Sequence, residues 1–282
     1  MTDPKTLYIV GTPLGNLEDM TFRAIRILKE VDIIAAEDTR HTGKLLQHFQ
    51  IETPQISYYE HNANRRTPEL IKRLEKGDAI ALVTDAGMPA ISDPGYELVK
   101  ACAEAQINVI PIPGATAAMT ALAASGIESD RFIFEGFLPT KNKERKARLQ
   151  QIQRETRSLI FYEAPHRVLQ TLTDFADIFG QNRLIVLARE LTKMHEQFWR
   201  GTIGEAISYY QENTPKGEFT IVVAGGDAAT QMALTEDQLK LELKKLIAEG
   251  MSRSQASRHL AQVTAIPRRQ LYQLALAIEE QN

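Results

Sequence analysis

Short runs of apolar residues alternate along most of the chain with longer segments in which apolar residues recur every three or four positions. The run LYIV from Leu7 precedes the helical pattern MTFRAIRILKEV, and the strand-like DIIAAE from Asp32 follows it. The same order leads on to the apolar runs AIALVT (79–84) and NVIPIP (108–113). Such alternation is typical of βαβ units in a parallel sheet covered by helices. We therefore predict an N-terminal α/β domain over residues 1–117.

A second α/β series begins near Arg131. Its predicted strands are RFIFEG, SLIFYE, RLIVLARE and EFTIVVAG, with the helix VLQTLTDFADIFG between the second and third. The segment HEQFWRGT lacks a long preceding helix, so we expect antiparallel pairs in this sheet. After Gly226 the pattern changes to three short amphipathic helices. We predict a C-terminal α/β domain over residues 118–230 and a small helical tail domain over residues 231–282.

Length and composition indicate the size of the folded core and the expected cellular location. A chain of 282 residues with 43% hydrophobic and 24% charged residues has enough apolar material for two globular domains. The N-terminus lacks the pattern of a signal peptide, and no apolar run approaches the length of a spanning helix. The single Cys102 cannot form an internal disulfide, and the scattered histidines match no zinc spacing. We expect a cytoplasmic protein that binds no membrane and no metal.

The net charge of the chain is small, but charged residues are unevenly distributed along it. The formal net charge is −3, yet residues 140–157 contain seven basic and two acidic residues. The tail adds Arg253, Arg258, Arg268 and Arg269. Local basic patches on an acidic protein can bind a polyanion such as RNA. A solvated helix face is the alternative interpretation of each patch.

Three glycine- and proline-rich segments follow predicted strands: GTPLGN (11–16), LVTDAGMPAISDPG (82–95) and IPGATAAMTALAASG (112–126). Glycines allow a close approach between backbone and ligand, and ligands of open α/β sheets bind beyond the carboxyl ends of the strands. The first segment is not the dinucleotide fingerprint, because its glycines are four residues apart and Pro13 lacks an amide donor. The segments predict a ligand site, with Asp85 facing it.

Three polar clusters also follow predicted strands: AEDTRHTGK (36–44), YYEHN (58–62) and FYEAPHR (161–167). Because strand ends of one parallel sheet meet at one edge, we expect the first two clusters to converge on a cleft. Each charged residue taken singly is more commonly a helix cap or a surface pair. The residues predicted to converge are Glu37, Asp38, Arg40, His61 and Asn62.

Together these segments resemble the tetrapyrrole methylase family, and most closely its ribosomal RNA small subunit methyltransferase I branch. The resemblance rests on VGTPLGNLEDMT, AEDTRHTGKLL, VTDAGMPAISDPG, IPGATAAMTALAASG, FYEAPHR and ARELTKMHEQFWRGT, and it covers nearly the whole chain. It implies two α/β lobes of the class III methyltransferase type with a C-terminal helical appendage.

The resemblance also implies a function: methyl transfer from S-adenosylmethionine (SAM) to the ribose 2′-hydroxyl of a cytidine in the decoding region of 16S rRNA. It implies a homodimer that acts on the small ribosomal subunit. By position, the residues expected to contact SAM are Pro13, Asp85, Ala86, Gly87, Ile91, Ser92, Thr116, Ala117, Tyr162, Leu191, Gly217, Glu218 and Phe219.

Transfer to a ribose hydroxyl requires in-line positioning and benefits from a proton acceptor. The candidate acceptors are Glu37, Asp38 and His61, with Arg40 and Asn62 orienting the ribose or phosphate. The residues expected to contact RNA are Lys141, Lys143, Arg145, Lys146, Arg148, His166, Arg167, Arg253 and Arg258. Two alternatives stay open: a small-molecule methylase of the same fold, and an RNA-binding module without catalysis.

Overall fold

The computed structural model describes residues 2–226, 236–264 and 266–278. The chain divides into two compact units. Met1–Leu149 and Ser158–Ala224 form the larger unit, whereas Gln150–Arg157 and Gly225–Asn282 form the smaller one. The domain boundaries expected at residues 117/118 and 230/231 stay predictions, and residue 230 lies outside the described residues.

The first sheet of the larger unit has five parallel strands in the order β3-β2-β4-β1-β5. The strands are β1 (Thr6–Val10), β2 (Ile33–Ala36), β3 (Gln55–Ser57), β4 (Ala79–Val83) and β5 (Asn108–Ile112). The helices between them are α1 (Phe22–Glu30), α2 (Thr39–His48), α3 (Ala63–Glu75) and α4 (Tyr96–Glu104). Every residue of β1 and β4 is buried, because helices cover both faces of the sheet. The parallel arrangement brings the carboxyl ends of all five strands to one edge.

The second sheet has the order β6-β7-β10-β8-β9. Only β6 and β7 are parallel, and the other neighbours are antiparallel, as the short connections predict. Its strands are β6 (Phe132–Phe137), β7 (Ser158–Glu163), β8 (Leu184–Arg189), β9 (Gln197–Thr202) and β10 (Phe219–Val223). The helices of this part are α5 (Ala117–Ser125), α6 (Asn142–Gln151), α7 (Val168–Phe179) and α8 (Ile203–Glu212).

Helix α5 directly follows the last strand of the first sheet but packs on the second sheet. Its small residues Ala118 and Ala121 lie against Ile160, Val186 and Val222. Short side chains let the helix backbone approach the strands closely. The end of β5 is therefore tied to the second sheet by the first turn of this helix.

The smaller unit contains the helices α9 (Glu236–Ala248), α10 (Arg253–Thr264) and α11 (Arg268–Leu276). They enclose a separate apolar core that includes Leu243, Leu260 and Leu271. Ser252 and Gln255 form a reciprocal cap at the start of α10, with the Gln255 amide donating to the Ser252 hydroxyl at 3.3 Å and Gln255 Oε1 accepting from the Ser252 amide at 2.9 Å. The three predicted tail helices are confirmed.

Candidate functional site

The loops after β1 and β4 are joined by backbone hydrogen bonds. The Thr12 amide donates to the Gly87 carbonyl at 2.9 Å, and the Gly87 amide donates back at 3.0 Å. The Thr12 hydroxyl donates to the Thr84 carbonyl at 3.0 Å. Pro13 follows this clasp and is buried. Two of the predicted ligand loops thus form one rigid wall.

The loop after β5 meets the same wall at two glycines. A Cβ atom on Gly11 would lie 2.8 Å from Gly114 Cα and 2.7 Å from Met88 Sδ. A side chain at either glycine would therefore force the loops apart, since Cβ atoms do not approach backbone this closely. All three predicted loops are in contact.

The loop between β4 and α4 reaches across to the second sheet. Ala90 and Ser92 adopt φ values of +69° and +61°, which are unfavourable for residues with side chains. The Ala90 amide donates to the Pro94 carbonyl at 3.1 Å and closes the turn. The Ser92 hydroxyl lies 2.8 Å from where a Cβ on Gly136 of β6 would be. The loop is thus strained and closely fitted to both sheets, a combination found at functional sites.

Tyr162 on β7 contributes to the cleft from the second sheet. Its hydroxyl accepts a hydrogen bond from the Ala118 amide in the first turn of α5 at 3.2 Å. Phe134 and Phe137 contact its ring edge-on, with centroids 4.9 Å and 5.5 Å away. Burial raises the pKa of the Tyr162 hydroxyl. Thr116 caps α5 through a 3.4 Å bond from the Met119 amide, so three of the residues expected to contact SAM, Thr116, Ala117 and Tyr162, lie at or beside the first turn of this helix.

Carboxylates link the ends of β2 and β4. Glu37 Oε2 accepts a hydrogen bond from the Asp85 amide at 3.2 Å, and Asp85 Oδ1 accepts one from the Asp38 amide at 3.3 Å. Burial raises the pKa of Glu37, the Asp85 amide opposes that shift, and the negative charges of Asp85 and Asp38 add to it. The structure therefore brings together Glu37 and Asp38 of the predicted convergent set and Asp85 of the predicted ligand loop.

Asp38 differs from its neighbours because it has a cationic partner. Its carboxylate caps α2 through the Arg40 amide at 2.8 Å and binds the Arg40 guanidinium through two bonds of 3.1 Å and 2.7 Å. These bonds hold the pKa of Asp38 far below its usual range. A carboxylate so stabilised is a weak proton acceptor. The Arg40 side chain is itself 89% exposed.

The two residues predicted after β3 have different surroundings. Asn62 is buried, accepting from the Tyr59 amide at 2.9 Å and donating to the Ser57 carbonyl at 3.2 Å. Its amide group is thus occupied in shaping the turn before α3. His61 is exposed, and its ring centroid lies 6.4 Å from that of Tyr59. Of this pair, only His61 presents its side chain to solvent.

Asp93 is a site residue that was not predicted. It lies between Ser92 and Pro94 at the tip of the strained loop and is half-buried. Burial, together with the negative charges of Glu37 and Asp85, raises its pKa to about 7. In the sequence, an Asp-Pro pair inside a glycine-containing loop is the ordinary composition of a turn. Only the nearness of two other carboxylates, from segments distant in sequence, distinguishes it.

The other residues expected to contact the ligand differ in their burial and in what they pack against. Leu191 is buried in the core beside α5, and Ile91 in the β4–α4 loop is half exposed. Lys193 binds Glu218 at 2.9 Å, and its aliphatic stem lies where a side chain on Gly15 would be. Gly217 has a φ of +79° and packs against Glu190.

Phe219 has its side chain on a different face from the cleft. Its ring is buried and lies 5.7 Å from the ring of Tyr210 on α8. Val222, three positions further along β10, faces α5 instead. Only the backbone of Phe219 is thus available on the side of Tyr162. Alternation of side chains along a strand explains the difference.

Comparison with known proteins identifies the family to which this arrangement belongs. Residues 6–207, more than half of the chain, match the family model described as Tetrapyrrole (Corrin/Porphyrin) Methylases. The chain belongs to the tetrapyrrole methylase family. A second model, described as the RsmI C-terminal HTH domain, matches residues 235–279 of this methylase.

Relatives of known name narrow the family to a branch. The methylase is 61% identical over 273 residues to the ribosomal RNA small subunit methyltransferase I of Synechocystis sp., with 97% of this chain and 98% of that protein covered. It is 49% identical over 275 residues to the protein of that name from Halalkalibacterium halodurans, covering 96% and 95% of the two chains. These matches confirm the branch predicted from AEDTR and FYEAPHR.

Solved structures confirm the fold. Cobalt precorrin-4 methyltransferase, a cobalamin biosynthetic enzyme, matches with a TM-score of 0.58 at 16% identity, covering 78% of this chain and 95% of that one. Uroporphyrin-III-C-methyltransferase from Thermus thermophilus matches with a TM-score of 0.53 at 20% identity, covering 78% and 94%. At these identities the likeness concerns the fold alone.

The basic segment of the methylase is largely neutralised by ion pairs. The Arg145 guanidinium binds Asp174 at 2.6 Å, and both side chains are buried. This arginine faces the protein interior and presents nothing to a phosphate. Lys146 binds Asp177 at 3.1 Å, and Arg148 binds Glu135 at 2.7 Å. The remaining predicted residues of α6 and its approach, Lys141 and Lys143, are exposed.

The other predicted RNA contacts also divide by exposure. Arg167 binds Glu163 at 3.2 Å and donates to the Leu138 carbonyl at 2.7 Å, so it braces the end of β7. His166 beside it is exposed. In the smaller unit Arg253 donates to the Ile278 carbonyl at 3.2 Å, and Arg258 is exposed.

Two further properties concern the described residues as a set. In residues 2–226, 236–264 and 266–278, no helix is long and apolar enough to cross a membrane. Within the same ranges, no group of three or more His, Cys, Asp or Glu residues could hold a metal ion.

Proposed function

We propose that the methylase transfers a methyl group from SAM to the ribose 2′-hydroxyl of a cytidine in the decoding region of 16S rRNA. The observation that carries this proposal is the 61% identity, over nearly the full length, to a protein named ribosomal RNA small subunit methyltransferase I. The resemblance of AEDTR and FYEAPHR to that branch supports the ribose as acceptor. The protein would act as a homodimer in the cytoplasm, where small ribosomal subunits are assembled.

The residues of the three loops fit SAM as methyl donor. SAM supplies an electrophilic methyl group on a positively charged sulfur, beside an ammonium group. Asp85 and Glu37 offer negative charge to oppose these cations. Thr84 Oγ1, next to Asp85, is buried and has no hydrogen-bond partner among the described residues, so a polar atom is available there.

The other expected donor contacts line the same wall and the facing α5 turn. Pro13, Gly87 and Ser92 belong to the clasped and strained loops, and Thr116 and Tyr162 lie at the first turn of α5. Side-chain contact with Phe219 is the weakest part of the expected set, because its ring is packed on α8. We retain its backbone in the proposed site.

The acceptor hydroxyl requires a group that takes its proton. Of the three predicted candidates, Glu37 has a raised pKa, Asp38 is neutralised by Arg40, and His61 is exposed. A group whose pKa lies nearer to neutrality is the better general base at physiological pH. Glu37 is therefore favoured over Asp38 within the predicted set.

Contact with rRNA would use exposed cations rather than the buried Arg145, and these include Lys141, which pairs with the exposed Glu144 at 3.1 Å. Lys141, Lys143, His166 and Arg258 are exposed, whereas Arg145 is buried. The tail supports this view through its charge, because residues 250–278 contain four arginines and no acidic residue. Phosphate contacts release counterions, so binding to the small subunit should weaken steeply with salt.

The test is to incubate the protein with labelled SAM and either small ribosomal subunits or free 16S rRNA, then to map the modified nucleotide. We expect label on a single cytidine ribose. Label on a base would contradict the 2′-hydroxyl as acceptor. Label on a tetrapyrrole and none on rRNA would replace this proposal by the small-molecule alternative.

A further inference from the structure

Four carboxylates, from the loops after β2 and β4, stand near one another at the sheet edge, and they differ in what binds them. Glu37 accepts the Asp85 amide, and Asp85 accepts the Asp38 amide. Asp38 is bound by the Arg40 guanidinium. These three hold the loops in place and are occupied by donors of the protein itself.

Asp93 is the exception among the four. No residue in the described part of the chain donates a hydrogen bond to its carboxylate or forms an ion pair with it. The residue is half-buried rather than fully enclosed. A half-buried carboxylate without a donor is costly to maintain, because burial disfavours its charge.

The loop holds Asp93 in a defined place despite that cost. Ala90 and Ser92 on its amino-terminal side have left-handed φ values, and Gly95 on the other side has a φ of +142°. A Cβ at Gly95 would lie 2.8 Å from Leu82 Cδ2, so the loop is packed tightly on β4. Strain in the residues before one unpaired carboxylate, with a closely packed glycine after it, indicates that the loop conformation is selected.

The surroundings of Asp93 come from both sheets. Glu37 and Asp85 act on it from the ends of β2 and β4, and its charge acts on the Tyr162 hydroxyl from across the cleft. The adjacent Ser92 contacts Gly136 on β6, whose neighbour Glu135 is paired with Arg148. Asp93 therefore interacts electrostatically with carboxylates at the ends of β2 and β4 and with the tyrosine that the donor is expected to contact.

We infer that Asp93 is the catalytic residue that takes the proton from the acceptor hydroxyl, an inference that rests on the proposed function. The ribose 2′-oxygen forms a bond to the methyl carbon as the bond between that carbon and sulfur breaks. The bonding pair stays on sulfur, which becomes a neutral thioether. The hydroxyl proton passes to the Asp93 carboxylate and from there to water. A pKa near 7 suits this exchange at physiological pH.

The principal test compares Asp93→Asn with the matched control Glu97→Gln, which removes an exposed carboxylate four residues away on α4. For Asp93→Asn we expect the single-turnover rate on small ribosomal subunits to fall roughly 10²–10⁴-fold. The dissociation constant for SAM, measured by calorimetry, should stay within about threefold. Glu97→Gln should match the wild type in both measurements.

The pH profile adds a readout that a structural role would not change. The wild-type rate should rise with pH and level off above about 7, as Asp93 loses its proton. The residual rate of Asp93→Asn should lack that rise. Asp93→Glu, which restores a carboxylate one methylene further out, should regain part of the lost rate.

Several results would overturn the inference. One is a normal rate in Asp93→Asn, and another is a rate loss that saturating SAM restores, since that would make Asp93 a donor-binding group. A wild-type pH profile retained in Asp93→Asn would also overturn it. Failure of the proposed function is seen separately, because the wild type would then place no label on a cytidine ribose.

Discussion

Two charged regions of this methylase look alike in the sequence and differ in the structure. In the basic segment of α6, Arg145, Lys146 and Arg148 each bind a carboxylate. At the sheet edge, neighbouring negative charges raise the pKa values of Glu37 and Asp93, and among the described residues of this cluster Asp38 is the one that forms an ion pair with a cation. Paired charges stabilise a fold or leave it unchanged, whereas like charges held together reduce its stability. The comparison teaches that the cluster of carboxylates without matching cations, not the longer run of charged residues, is the candidate functional site.

Breaking the paired region should have the largest effect on stability. Replacement of Arg145 by Ala leaves Asp174 buried without its guanidinium partner, because both side chains are less than a tenth exposed. We expect the free energy of unfolding to fall by about 3–5 kcal/mol. Urea denaturation followed by circular dichroism measures it.

The control for that prediction removes both charges. The double variant Arg145→Met with Asp174→Leu should recover much of the lost free energy, since no buried charge is left unpaired. Lys146→Ala, in the partly exposed lysine beside the pair, should have a much smaller effect. Equal losses for Arg145→Ala and Lys146→Ala would contradict the structural role assigned to the buried pair.

Removing the unpaired carboxylate of Asp93 should increase stability, and by less than the loss of Arg145 decreases it. The pKa of Asp93 is raised from 3.8 to about 7, so folding disfavours its charged form. The cost to stability grows as pH rises from about 4 to about 7 and stays constant above that. Asp93→Asn removes this cost, so its melting temperature should exceed that of the wild type at pH 8 and by less at pH 5.

Thermal unfolding at these two pH values, with Glu97→Gln as the control, tests the sign. A melting temperature for Asp93→Asn below that of the wild type at pH 8 would show that the carboxylate stabilises the loop. Loss of activity combined with a gain of stability would mark Asp93 as a functional residue.

The smallest effect should come from a charge that is neither buried nor paired. Lys143 on α6 is exposed and forms no ion pair with any residue the structure describes. Lys143→Ala should leave the melting temperature unchanged. The slope of the logarithm of the rRNA binding constant against the logarithm of salt concentration should decrease by about 1.

Filter binding over a series of salt concentrations measures that slope. The matched comparison on the same helix is Lys146→Ala, whose ammonium is bound to Asp177 and should change the slope less. An unchanged slope for Lys143→Ala would remove α6 from the proposed RNA contacts.

Much of the site could be predicted because it depends on strand ends. Parallel strands direct all residues that follow them to one edge, so Glu37 and Asp85 could be placed together from the alternation of apolar runs alone. The antiparallel part of the second sheet followed from the short connections around HEQFWRGT. The family follows from motifs that cover nearly the whole chain.

Other assignments could not be made from sequence because they depend on what a side chain contacts. Asn62 is occupied by the backbone around Tyr59, and the Phe219 ring is buried on α8. Asp93 cannot be singled out in the sequence, because an Asp-Pro pair is adequately explained as part of a turn. In each case the role depends on which residues surround the side chain or on which way it points, and local composition encodes neither.

The sequence by itself determined the order of strands and helices, the three ligand loops and the chemical identity of the residues at the strand ends. It did so because hydrophobic periodicity and glycine positions are local properties of the chain. Only the tertiary structure decided which charges are paired and which stand alone. Arg145 meets an aspartate 29 residues away, and Asp93 meets Glu37 across 56 residues. Pairing and burial set the proton affinity of a carboxylate, and both arise only when distant segments pack together.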